Sequence, residues 1–123
     1  MECNWEKATF QEKHSPIERS SHGISIIGGV LYVFGGENTA RVPIDSSVYV
    51  LDIAKQNLKD GSATWRKIEA QSNSPEPRIA HTQAVVGKKI YIFGGRQGIT
   101  MDESPLNDLH CFDTETEKAF GRA

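Results

Sequence analysis

Short apolar runs separated by turn residues dominate the chain, and they arrive in the same order twice. Gly23 to Ile27 reads as a buried strand, Gly28-Gly29 as a two-residue hairpin turn, and Val30 to Phe34 as the returning strand, closed by Gly35-Gly36. After a polar loop, Ser47 to Ile53 gives a third strand. A second polar loop, Ala54 to Thr64, leads to the short strand Trp65 to Ile68. The order then restarts: His81 to Val86, a Gly87-Lys88 turn, Lys89 to Phe93 closed by Gly94-Gly95, and Asp108 to Asp113. No window keeps apolar residues at helical spacing, and glycine or proline interrupts too often for a long helix.

The repetition is in phase. Arg19, His22, Tyr32 and Gly35-Gly36 return as Arg78, His81, Tyr91 and Gly94-Gly95, each 59 residues on, and Ser15-Pro16 returns as Ser74-Pro75. "LYVFGG" and "IYIFGG" are thus equivalent pieces of one repeated unit. Four short antiparallel strands per unit at such a period predict an all-β fold of propeller blades. The glycine pair suits the end of a second strand where backbones crowd near the hub.

The pattern of Arg, a small residue and His, then an apolar hairpin ending in Tyr-(Val/Ile)-Phe-Gly-Gly, then Tyr or His three residues before Asp, then Trp, resembles the kelch repeat. It runs from Trp5 to Phe120. The resemblance implies about two four-stranded antiparallel kelch-type blades of an incomplete β-propeller ring. Trp5-Glu6-Lys7-Ala8 resembles Trp65-Arg66-Lys67-Ile68, so residues 1–18 are expected to supply an orphan outer strand and loop of a closing blade. Residues 19–69 form kelch repeat 1, and 70–123 repeat 2, expected to lack most of its outer strand because Phe120 stands where a tryptophan is due. Two blades do not close a ring of the usual 4 to 8. The expectation is therefore a piece or shortened product of a longer propeller; if the chain is whole, it must assemble as a homo-oligomer.

Composition narrows the function. A net charge of −2 with 24% charged residues predicts neither a nucleic-acid footprint nor a membrane-adhesive surface, and no apolar run reaches the roughly 20 residues that span a bilayer. The start of the chain has no secretory pattern, and Cys3 and Cys111 have neither metal nor redox spacing, so a reduced cytoplasmic setting is expected.

The loops before each first strand (10–21 and 70–80) and after each glycine pair (37–46 and 96–107) should open on one side, the side where kelch propellers bind partners. That face would carry Arg19, Arg41, Arg78 and Arg96 with Glu37, Asp45, Asp102 and Glu103. Arginines in a funnel suit an acidic peptide or a small anion. Arg19 and Arg78 recur in phase, which favours a blade-fixing role. Arg41 and Arg96 stand at less regular places, where loops carry binding. His22 and His81 recur before apolar strands and read as histidines that satisfy backbone groups at the blade entrance. Asp102, Glu103, Asp108 and His110 offer metal-type ligands but read as a solvated turn entering a strand. No nucleophile constellation and no phosphate-binding glycine motif is present, so no catalytic residue, metal or cofactor is assigned.

Two functions follow. The first is a non-enzymatic kelch binding module presenting loops to a protein partner or acidic peptide. The second rests on "PIERSSHGISIIGGVLYVFGGE" and "VPIDSSVYVLDI", which are similar to the opening blade of plant specifier proteins, kelch proteins that use iron to steer glucosinolate breakdown toward nitriles. The Glu-x-x-x-Asp-x-x-x-His iron spacing of that family is absent: Glu103 leads to Asn107 and Cys111.

Overall fold

A computed structural model of the chain describes residues 4–98, 100 and 102–122, the last four by backbone alone. Eight strands fall into two antiparallel sheets of four. The first holds β1 (Gly23–Ile27), β2 (Val30–Phe34), β3 (Val48–Asp52) and β4 (Arg66–Ile68); the second holds β5 (Thr82–Val86), β6 (Lys89–Phe93), β7 (Leu109–Asp113) and β8 (Lys118–Arg122). Each sheet is a meander in chain order, the topology of a propeller blade. β1 and β5 are the inner strands and lie beside each other at the hub.

Register explains the two cores. Tyr32 and Phe34 on β2 and Val48 and Val50 on β3 point to the second blade, where Ile90 and Ile92 of β6 meet them, with Ile68 and Phe112 packed at the edge. On the other face of blade 1, Val33, Tyr49 and Leu51 are buried by Ala63 and Trp65, so the 54–64 connection folds back as a cover for the outer half of that face. Strand alternation sends one set of side chains to each face. A blade buried on both sides reads as the near-continuous apolar runs seen in β2 and β3.

One expectation about the ends is corrected. The second blade has its outer strand: β8 pairs with β7, with a register shift at His110/Cys111. The β7–β8 turn is tight, closed by Glu117 N–H donating to the Asp113 carbonyl at 2.7 Å with Glu117 at φ 58°. The fourth strand therefore arrives before the position predicted from blade 1, whose 54–64 connection is long. At the other end, residues 5–8 form no strand, and each sheet has its four strands without them. Instead Thr9 and Gln11 donate backbone bonds to Leu58 and Ala63, and Phe10 sets its ring edge-on to Trp65 at 5.7 Å.

Candidate functional site

The expected sharing of one side by two sets of loops is met. Short bridges tie Ser20 to Glu37, Glu37 to Pro43, and Ile79 to Arg96, so each loop before a first strand is fastened to the loop after the glycine pair. The glycines make this approach feasible. Gly36 and Gly95 have φ of 103° and 90°, and a Cβ on Gly95 would stand 2.6 Å from the Ile79 carbonyl oxygen. The blades are stapled at this level by Gly36 N–H to the Arg78 carbonyl (3.0 Å) and Ala80 N–H to the Ser21 carbonyl (2.9 Å). Ser21 and Ala80, themselves 59 residues apart, both take the left-handed conformation, at φ 56° and 57°.

Arg78 is 1% exposed and fully engaged. Its Nε donates to the Glu76 carbonyl and Nη1 to the Gly94 carbonyl, and Nη1 and Nη2 grip both oxygens of Asp108 at 2.6 and 2.8 Å. Asp108 also meets His110 Nε2 at 2.8 Å. These bonds from Arg78 hold the Asp108 carboxyl well below the usual carboxylate range. Arg19 repeats the scheme: Nε to the Ile17 carbonyl and Nη1 to the Gly35 carbonyl. In place of the carboxylate it lies over the Tyr49 ring, 4.9 Å from the centroid. Burial and a hydrogen bond to Asp45 push the Tyr49 hydroxyl up to about 12. The in-phase pair thus fixes loop to blade, and Tyr49 and Asp108 are the partners that single-residue reading did not supply.

Arg41 differs. Its backbone N–H donates to Glu37 Oε1 at 2.7 Å while its φ is 63°, and its guanidinium makes no hydrogen bond or ion pair among the described residues. That N–H, then a hydrogen bond from Ser21, lowers the Glu37 carboxyl, with smaller help from the Arg41 and Arg96 charges. Arg96 occupies the position in blade 2 that Glu37 occupies in blade 1. Its Nη2 donates to the Thr100 carbonyl at 3.2 Å, and its Nε is buried without a partner among the described residues. The two loops touch: a Cβ on Gly98 would stand 2.8 Å from the Arg41 carbonyl oxygen. Arg96 and Glu103 line an open depression of about 300 Å3 with Ala80, Gly95 and Pro105, and Glu103 Oε2 is likewise buried there without a partner among the described residues.

His81 lies deeper. His81 Nε2 bonds Gln83 Oε1 at 2.7 Å, Gln83 donates on to Ser25, and the ring sits edge-on to Phe34 at 5.5 Å. Burial, with help from the Arg78 and His22 charges and against the Gln83 bond, lowers its pKa. Among the described residues, no group of three or more His, Cys, Asp or Glu is placed to hold a metal ion. An apolar cavity between the blades, lined by Tyr32, Phe34, Ile90 and Phe112 among others, measures about 40 Å3, room for one or two waters.

Blades of this topology with an arginine-fastened loop face define a β-propeller of repeated four-stranded units. The chain belongs to the kelch-repeat family: the KLHDC2/KLHL20/DRC7 Kelch-repeats domain matches residues 1–120. It is 34% identical over 119 residues to the N-(sulfonatooxy)prop-2-enimidothioate sulfolyase of Thlaspi arvense, covering 96% of this chain and 31% of that one. It is 36% identical over 110 residues to Kelch domain-containing protein 3 of Rattus norvegicus, covering 81% and 27%. The solved structure of YjhT superposes with a TM-score of 0.63 at 21% identity over 90% of this chain and 28% of that one, which shows the fold. The chain spans about a third or less of the length of these relatives.

Proposed function

We propose that this chain is a kelch interaction module whose loop face, carrying Arg41 and Arg96, takes an acidic segment of a protein partner. The observation that carries this is the guanidinium of Arg41, without a hydrogen bond or ion pair among the described residues, on a loop that touches the Arg96 loop, while the in-phase arginines are tied to loop carbonyls. Guanidinium groups free of internal partners are the ones able to grip a carboxylate bidentately. The free, buried thiol of Cys111 suits a reducing setting such as the cytoplasm.

The variant to use is Arg41→Gly with Arg96→Gln, since glycine keeps the left-handed backbone at position 41 while removing the side chain and its charge. On an array of Glu- and Asp-rich peptides, the parent chain should retain peptides in a salt-sensitive way and the double variant should lose at least about tenfold, roughly 1.4 kcal/mol. Equal retention by both would contradict the choice of face.

A second reading follows from the sulfolyase relative: the chain as part of a specifier-type enzyme. The residues here do not fit that family's iron site, because Asn107 and Cys111 stand at the spacing of its Asp and His and the Cys111 side chain is buried within β7. Adding ferrous iron should therefore leave glucosinolate-hydrolysis products unchanged; a shift toward nitriles would revive this reading.

A further inference from the structure

The contact between the two blades inside the chain is a template, and both of its halves are repeated on the outside. Blade 1 meets blade 2 through Tyr32, Phe34 and Ile27. The residues 59 positions on are Tyr91, Phe93 and Val86, and they lie on the open face of blade 2, where Phe93 is 50% and Val86 65% exposed. Blade 2 meets blade 1 through Ile90, Ile92 and Gln83. Their counterparts 59 positions back are Leu31, Val33 and Ile24 on the outer face of blade 1; Leu31 and Val33 pack under the 54–64 cover, while Ile24 and neighbouring Ile26 stay open at 55% and 57% exposed. The polar pair Gln83–Ser25 of the internal contact corresponds to Ile24 and Ala84, so the open faces match as apolar on apolar.

Two further features point the same way. Internally His81 stacks edge-on to Phe34; the same positions on the open faces are His22 and Phe93, both exposed. Internally Gly36 N–H bonds the Arg78 carbonyl and Ala80 N–H bonds the Ser21 carbonyl; the equivalent donors, Gly95 N–H and Ser21 N–H, make no such bond among the described residues, nor do the equivalent acceptors, the Arg19 and Ala80 carbonyls. The outer faces thus carry an interface with its donors and acceptors unmet.

We propose that the chain associates head to tail with further copies of itself, the Tyr91/Phe93/Val86 face of one copy seated on the Ile24/Ile26 face of the next, beside its 54–64 cover. The partner's His22 stacks on Phe93, Gly95 N–H meets the partner's Arg19 carbonyl, and the partner's Ser21 N–H meets the Ala80 carbonyl. Such a contact is heterologous, so it propagates until a rotation closes it. The chain spans 31% of the sulfolyase and 28% of YjhT, so three copies supply about the ring that those single chains supply. A closed ring of three copies would set three Arg41/Arg96 pairs around one opening; that consequence alone rests on the proposed binding face.

Sedimentation equilibrium of the 123-residue chain over a concentration series, beside far-ultraviolet circular dichroism, tests this without any peptide. The expected result is a limiting species of about 41 kDa, three times 13.6 kDa. Phe93→Glu and Ile24→Glu each alter a side chain that is half exposed in the single chain, so each should sediment as a monomer with an unchanged β spectrum. Mixed one to one, they retain one intact donor face and one intact acceptor face and should form a two-chain species and nothing larger. A folded wild-type monomer, whose faces would then await a different occupant, would overturn the proposal. So would a two-fold dimer, association without a limiting mass, or single variants that still assemble.

Discussion

At the scale of the residue, one repeated position has two chemistries. Arg78 is buried with a bidentate carboxylate partner, while Arg19 makes the same two carbonyl bonds and rests on Tyr49. Removing one member of a buried ion pair leaves the other charged and unsatisfied, at about 3–5 kcal/mol. A cation over an aromatic ring contributes about 0.5–2 kcal/mol. Urea unfolding should therefore show Asp108→Asn costing about 3 kcal/mol or more and Tyr49→Leu clearly less. Acid should act through the same groups. The Asp108 pKa is depressed in the fold, so its contribution is present above the unfolded value of about 3.9 and fades as pH falls below it. His81 is also depressed, but as a base: the unfolded chain takes up a proton first, so stability declines as pH falls through about 6.5. A midpoint series from about pH 8 to 5 should show that decline, and His81→Asn should flatten it; an equally steep decline in the variant would contradict the burial argument.

At the scale of the element, the hairpins were legible because two-residue turns and period-2 burial leave local marks: β1, β2, β5 and β6 fall within a residue of their predicted bounds. The fourth strand of blade 2 was not legible. Its position depends on the length of the preceding connection, and Thr114–Glu117 closes in four residues what blade 1 spans with a long cover. The arginine face was readable as a set of loops, since Arg19 and Arg78 announce their phase. Their phase also marked them as blade-fixing against Arg41 and Arg96, but the partner of Arg78 was not legible, because Asp108 lies 30 residues from it in sequence. Two glycines separate turn geometry from crowding. Gly87 has φ 60°, and a Cβ added there would meet nothing within 4 Å, so Gly87→Ala should cost about 1–2 kcal/mol for the left-handed backbone alone. Gly95→Ala adds a collision with the Ile79 carbonyl and should cost distinctly more; equal losses in thermal unfolding would remove the close-approach explanation.

At the scale of the molecule, the repeat organises everything else. The same 59-residue step places the blade-fixing arginines, the glycine pairs and the histidines, and it leaves the binding candidates where the repeat breaks: Glu37 in one blade against Arg96 in the next, and Arg41 with no counterpart arginine. Binding to the loop face, with the 54–64 cover as a bystander, is the central claim. The direct measurement is a 15N–1H correlation spectrum titrated with an acidic peptide. Shifts confined to the amides of 37–46 and 96–107, weakening as salt rises, are the predicted result. Shifts centred on 54–64, or none in either loop, would contradict it.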